Sequence, residues 1–146
     1  YCGGASLTTM ETFMMASKGN GKDWGELGTI RNSHIAMSNS TRGIIGTGYG
    51  PAPAYPTQFT TESSTISTGG NTVNFGEIFS GRYGASGASQ TRGLVAGGTV
   101  PGGNYKNIIE YVTISTEGNG IDFGDLTRPC YGVTGLSDSH GGLGGF

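Results

Sequence analysis

Residues 113–126 read Thr-Ile-Ser-Thr-Glu-Gly-Asn-Gly-Ile-Asp-Phe-Gly-Asp-Leu, and the chain has said nearly the same thing twice before. Residues 65–78 read Thr-Ile-Ser-Thr-Gly-Gly-Asn-Thr-Val-Asn-Phe-Gly-Glu-Ile, and residues 14–27 read Met-Met-Ala-Ser-Lys-Gly-Asn-Gly-Lys-Asp-Trp-Gly-Glu-Leu. The glycine after the aromatic falls at Gly25, Gly76 and Gly124, so the spacings are 51 and 48 residues. A period of about 50 residues is one supersecondary unit copied in tandem. The 146 residues therefore divide as a single repeat domain, 1–146, with units at 1–48, 49–98 and 99–146.

Within a unit the pattern is that of short strands. In the third copy, residues 107–115 are rich in β-formers (Ile108, Ile109, Tyr111, Val112, Ile114) and are expected to form one strand. Glu117-Gly118-Asn119-Gly120 is a turn, because Gly and Asn tolerate positive φ. Residues 121–126 form a second strand and 130–134 a weaker third. The fourth is Thr91-Arg92-Gly93-Leu94-Val95-Ala96-Gly97-Gly98, matched by Thr41-Arg42-Gly43-Ile44-Ile45-Gly46-Thr47-Gly48 and by a decayed copy at 139–145. No window of a dozen residues has a helical period free of glycine, so helix is not expected. Met14-Met15-Ala16, aligned with Thr65-Ile66-Ser67, reads as strand.

Composition narrows the functional classes. Charged residues are 12% of the chain and the net charge is −2, which gives no basic patch for nucleic acid and no charged tail. The 30 glycines have no Gly-X-Y period, so this is not collagen. No apolar run reaches transmembrane length, and no membrane partner is expected. Cys2 and Cys130 occupy non-equivalent positions in the repeat and are expected as buried free thiols, a disulfide between them being the alternative. The chain opens Tyr1-Cys2-Gly3-Gly4, with neither an initiator Met nor a signal peptide, as a mature or partial chain would. Its start and its end, Leu143-Gly144-Gly145-Phe146, both align with Val95-Ala96-Gly97-Gly98. Three whole units are thus cut inside the glycine-rich strand, as when strands from both termini complete one blade of a propeller.

These residues resemble the kelch repeat, in the order Gly97-Gly98, Tyr111, Phe123, Leu126 and Arg128; in the first copy Trp24, Leu27 and Arg31 hold the later positions. The resemblance covers essentially the whole chain. It implies an all-β fold of three four-stranded antiparallel β-propeller blades. The finer pattern, Gly-Asn-x-x-Asp-Phe-Gly-Asp-Leu with Thr-Arg-Gly-Leu-x-x-Gly-Gly, is similar to repeats in tail and virion-associated proteins of bacteriophages. Asn74 in place of Asp122, the Ser/Thr-rich run 60–65 and His140 in place of the arginine depart from it. Closed propellers have about 4–8 blades, so three need completing, by a second chain, by further blades or by stacking.

Repeated positions are expected to be structural. Trp24, Phe75 and Phe123 are core aromatics, and Gly25, Gly76 and Gly124 follow them. Arg42 and Arg92 share one slot and are expected to hydrogen-bond carbonyls between blades. The acids Asp23, Glu26, Glu77, Asp122 and Asp125 are expected to cap backbone amides and not to hold a metal. No pair among the ten acids is marked out as a glycosidase pair. His34 and His140 lack partners at zinc spacing, and no nucleophile elbow, Cys-His pair or phosphate loop is present. No catalytic residue, metal or cofactor is expected.

Variation in loop length points elsewhere. From the glycine pair to the equivalent acid (Glu11, Glu62, Glu110) the separations are 7, 14 and 12 residues. Repeat proteins tend to concentrate such variation on a binding face. The longer loops carry Tyr49, Pro51, Pro53, Tyr55 and Pro56, and Pro101, Asn104 and Tyr105. Tyr49, Tyr55, Tyr105 and Asn104 are the candidate ligand-binding residues, since Tyr beside Pro, Gly and Asn suits a rigid recognition surface. The plainer reading makes these loops solvated or in contact with a neighbouring subunit. Asn39-Ser40-Thr41 fits a glycosylation sequon that would be silent in a phage or bacterial protein. The functional expectation is a non-enzymatic structural or appendage component of a bacteriophage virion, a tail or surface protein assembling as an oligomer, with an extracellular filament subunit among the alternatives. Its partners would be copies of itself, other virion proteins or a host-surface glycan. A glycan-binding propeller and a kelch protein-interaction module are the alternatives.

Overall fold

The computed structural model describes the backbone of residues 2–4 and the backbone and side chains of 7–14, 16–54, 56–79, 83–100 and 102–136. Met15, Tyr55, Pro101 and the run 139–145 with His140 lie outside the described residues, as does the Cys2 side chain. The chain is all-β, and no helix occurs among the described residues. Among the described residues twelve strands form three antiparallel sheets. The first contains β1 (Cys2–Gly4), β2 (Leu7–Thr12) and β3 (Lys22–Glu26), in that order. The second is β4 (Ile35–Ser38), β5 (Arg42–Gly46), β6 (Thr60–Thr65) and β7 (Val73–Glu77). The third is β8 (Ala85–Ala88), β9 (Arg92–Ala96), β11 (Asn104–Thr113) and β12 (Ile121–Cys130), with the short β10 (Thr99–Val100) added to β11. The described residues close no barrel or ring.

One device recurs in all three sheets. Met10 pairs with Gly25 and Glu11 with Asp23, so Trp24 is skipped. Thr61 pairs with Gly76 and Glu62 with Asn74, skipping Phe75. Ile109 pairs with Gly124 and Glu110 with Asp122, skipping Phe123. The repeated aromatic is thus the extra residue of a β-bulge. The glycine after it has φ of 136°, 151° and 141° in the three copies, where a Cβ is disfavoured. The amides of Gly25 and Gly124 each donate to the preceding aspartate, Asp23 Oδ1 and Asp122 Oδ1, at 3.0 Å. That is why the motif reads acid–aromatic–glycine: the acid satisfies an amide that the bulge removes from the ladder.

Two of the bulged aromatics, Trp24 and Phe75, point into the spaces between sheets, and the core lies there. Phe123, expected in the core, is exposed instead, because no described sheet packs on that face of the third sheet. Met10, Leu27 and Ile45, with half-buried Trp24, fill the space between the first and second sheets. Ile35, Met37, Ile44, Phe75, Ile78, Ala88, Val95, Val112 and Ile114 fill the next. At the inner edge the second and third sheets meet through the short strands β4 and β8. Ser86 Oγ of β8 donates to the Ala36 carbonyl of β4 at 2.8 Å. Residues 131–136, Tyr-Gly-Val-Thr-Gly-Leu, repeat 83–88, Tyr-Gly-Ala-Ser-Gly-Ala, and lie along the far side of β8. A Cβ on Gly87 would stand 2.3 Å from the Leu136 carbonyl oxygen, and one on Gly135 2.0 Å from that of Ser86.

Three strand expectations are corrected. Residues 131–134 form no strand, because β12 runs on through Cys130 to pair with Lys106. Met14 and Ala16 are not in a strand, since β2 ends at Thr12 and a turn follows, just as β6 ends at Thr65 before its own turn. The fourth strand in sequence is a pair in fact: the Thr-Arg-Gly run forms β5 and β9, each preceded by a short inner strand, β4 or β8, the first masked in the sequence by its four-residue length and the second by its Ala, Ser and Gly content.

Candidate functional site

Two constellations stand out: the joints between sheets, and a pair of tyrosines on the surface.

The joints are built to one plan. Between the first and second sheets, the turn after β6 clasps β3. Gly70 N–H donates to the Trp24 carbonyl at 2.7 Å, Thr72 N–H to the Glu26 carbonyl at 2.9 Å, and Glu26 N–H to Asn71 Oδ1 at 3.0 Å. Between the second and third sheets, the turn after β11 clasps β7. Gly118 N–H donates to the Phe75 carbonyl at 2.8 Å, Gly120 N–H to the Glu77 carbonyl at 2.7 Å, and Glu77 N–H to Asn119 Oδ1 at 3.0 Å. The repeated Gly-Asn of the sequence therefore has two tasks: the glycine approaches a neighbouring backbone and the asparagine accepts from it.

Each joint also receives a buried carboxylate. Glu62 Oε2 accepts from Gly28 N–H at 2.7 Å and also takes the Thr72 hydroxyl. Glu110 Oε1 accepts from Phe79 N–H, the equivalent amide, at 3.3 Å. Arg31, fully buried, completes the first joint: Nη2 meets Glu62 Oε1 at 2.5 Å, and Nη1 donates to the Thr60 carbonyl at 2.7 Å. Burial pushes the Glu62 carboxyl up. The Thr72 hydroxyl, the Arg31 guanidinium, the Gly28 amide and Thr29 together outweigh that and hold its pKa below the ordinary glutamate value. A carboxyl lowered on folding adds stability above its unfolded pKa, and that stability is lost as pH falls through the folded value. Denaturant unfolding from pH 7 downward should therefore show stability declining below about pH 4, and Glu62→Gln should flatten that part of the decline. An unchanged acid limb in the variant would mean that Glu62 is not the group responsible.

The repeated arginines differ in setting. Arg42 Nη1 donates to the Ile114 carbonyl of the next sheet at 3.0 Å and lies 5.9 Å from the Phe75 ring centroid. Arg92 is exposed and stacks 4.9 Å from the Tyr111 centroid of its own sheet. Asn39, the sequon asparagine, is committed locally: Oδ1 accepts from the Thr41 and Arg42 amides, and Nδ2 donates to the Gln90 carbonyl at 2.9 Å. Cys130 is a half-buried free thiol. Among the described residues no group of three His, Cys, Asp or Glu is placed to hold a metal, and no helix is long and apolar enough to cross a membrane.

The candidate recognition residues fall into two aromatic pairs. Tyr49 is half-buried, bridges Asn32 and Thr57, and meets Tyr83 edge-on at 6.0 Å. Tyr105 is exposed at the base of the β10–β11 hairpin, next to exposed Asn104. It stacks on exposed Tyr131 with centroids 4.4 Å apart and planes 16° apart. A hydrogen bond with the Tyr131 hydroxyl, with the nearby phenol adding to it, pushes the Tyr105 phenol above its usual value. Two parallel phenol rings on the surface can stack an apolar ligand face and offer hydroxyls at its edge. Sequence reading missed Tyr131, whose only signal was its place one repeat after Tyr83. It also missed the pairing of Arg31 with Glu62, both of which it had placed in repeat slots without seeing that they face each other across a joint.

No protein-family model matches the chain, and no curated relative matches it. Among solved structures, that of YjhT superposes with a TM-score of 0.59 at 9% sequence identity, over 75% of this chain and 41% of that one. The likeness concerns the fold alone, and the chain spans about two fifths of the YjhT structure.

Proposed function

We propose that this chain is a non-enzymatic structural protein made of kelch-like β-propeller blades, working as an oligomeric tail or surface component of a bacteriophage virion. The observation that carries the structural part is the joint: the polar side chains that recur from repeat to repeat, Asn71 and Asn119, Glu62 and Glu110, are spent on the neighbouring sheet. Catalytic groups converge on a ligand; these bind backbone. The virion assignment is supported by the resemblance of the Gly-Asn-x-x-Asp-Phe-Gly-Asp-Leu repeat to phage tail and virion-associated proteins. It implies a virion or extracellular location. Immunogold electron microscopy of particles purified from the source culture tests it. Label on tails or capsids is expected, and label confined to cell material rejects the assignment.

A second reading has its own observation. The stacked, exposed Tyr105–Tyr131 pair beside Asn104 suits a glycan platform on a host surface. Glycan-array binding by the wild type that falls at least about tenfold in Tyr105→Ala and Tyr131→Ala is the expected result. A folded wild type that binds no glycan, or binding indifferent to both changes, rejects it.

A further inference from the structure

The two internal joints use two kinds of surface, and the chain carries one more of each. The rear face of the second and third sheets supplies the Gly-Asn turn, the carboxylate and a buried residue one position beyond the pairing (Ser64, Val112). The front face of the first and second sheets supplies the bulged aromatic and the strand that is clasped. On the first sheet the rear-face elements are all present: Gly19-Asn20-Gly21 repeats Gly118-Asn119-Gly120 residue for residue. A Cβ on Gly21 would lie 2.8 Å from the Glu11 carboxylate, as one on Gly120 would lie 3.1 Å from that of Glu110. Phe13 holds the slot of Val112 but is 57% exposed, against 2%. On the third sheet the front-face elements are all present. Phe123 is 53% exposed where Phe75 is 2%. A Cβ on Gly25 would collide with Gly70 at 2.4 Å, and one on Gly76 with Gly118 at 2.2 Å. At Gly124, with the same bulge, no described atom lies within 4 Å. The seat of a clasping turn is there, and no described residue fills it.

Strand counts match as well. Among the described residues the first sheet has β1, β2 and β3 and no inner strand equivalent to β4 or β8. Residues 133–136 lie against β8 in the position of a next inner strand, beside a groove of about 660 Å³ lined by Ala85, Gly87, Leu94, Ala96, Ile109 and Leu136 among others.

We infer that a second copy of this chain docks head to tail, its first sheet on the front face of the third. In the joint Gly19 N–H donates to the Phe123 carbonyl and Gly21 N–H to the Asp125 carbonyl. Asp125 N–H donates to Asn20 Oδ1, Phe13 packs on Phe123, and residues 133–136 of one copy edge the other's β1. Such an interface is heterologous: it closes into a ring or runs on as a filament, according to its rotation. Counted six residues from the bulge glycine, the slot of Arg31 is Cys130 in the third repeat, while Arg128, its counterpart in the kelch-like order, stands two residues earlier and is exposed. The intermolecular joint therefore lacks the buried guanidinium, and we expect it to be weaker than the internal ones and concentration-dependent. The inference rests on the oligomeric part of the function proposed above and is independent of the virion assignment.

The test is analytical ultracentrifugation of the 146-residue chain, of Phe13→Glu and of Phe123→Glu, alone and mixed, with dilute-solution melting temperatures as a folding control. Both phenylalanines are exposed, so the variants should melt as the wild type does. The wild type should assemble with concentration and each variant should stay monomeric. The equimolar mixture should form a one-to-one dimer, because each variant keeps the face that the other has lost. Asn20→Ala is the milder check, expected to weaken association about fivefold to tenfold for one lost hydrogen bond. Variants that assemble like the wild type overturn this joint and leave self-assembly standing. A wild type that stays monomeric up to about millimolar concentration, where the weakest specific complexes still form, overturns the joint together with the oligomeric reading.

Discussion

Replacing Arg31 by alanine should destabilise the chain by about 3–5 kcal/mol, the cost of leaving one member of a buried ion pair uncompensated. Arg31 is fully buried and holds Glu62 at 2.5 Å while also bonding the Thr60 carbonyl. Truncation leaves a carboxylate and a carbonyl in a site that water reaches poorly. The mechanism is separable from lost packing. Glu62→Ala should cost a similar amount, and Arg31→Met with Glu62→Leu should recover most of the loss, because the pair's net contribution over a well-packed apolar substitute is small. Equilibrium urea unfolding of the four proteins checks this. A double variant as unstable as the sum of the singles would show that the two side chains act independently.

The second large effect separates two phenylalanines in the same motif. Phe75→Ala should cost about 3–5 kcal/mol, as expected for a buried phenylalanine removed from a packed core. Phe123→Ala should change the stability of the dilute chain by no more than about 0.5 kcal/mol. The sequence context is nearly identical, Asn-Phe-Gly-Glu against Asp-Phe-Gly-Asp, and both aromatics occupy the bulge. They differ in that a third sheet covers Phe75 and no described residue covers Phe123 to the same degree. Equal losses at the two positions would mean that the front face of the third sheet is covered after all.

The contrast shows what the sequence could convey. The repeat carries the bulge in plain view, since a conformation with positive φ needs glycine and a skipped position lets a large ring point into the space between sheets. Thr60–Thr65 is a strand although it is nearly all Ser and Thr, and alignment with its copies marks it where local propensity alone would not. The inner strands β4 and β8 were not legible: each is only four residues long, and the Ala-Ser-Gly-Ala of β8 reads as a turn. Nor was the joint. A carboxylate in one repeat and an arginine in the repeat before it, 31 positions apart, carry no signal of which faces they occupy. The surface tyrosines were half legible. Tyr105 was found by its loop, whereas its partner Tyr131 follows the end of β12, a strand that runs four residues past the point where its pattern stops.

Residue-resolved amide hydrogen exchange, at low and at high protein concentration, tests the repeated joint most directly. The amides of Gly70, Thr72, Gly118 and Gly120 should be protected at both concentrations, while those of Gly19, Gly21 and Asp125 should exchange fast when dilute and slow when concentrated. Rapid exchange at Gly70 and Gly118, or protection at Gly19 and Asp125 that does not change with concentration, would contradict it.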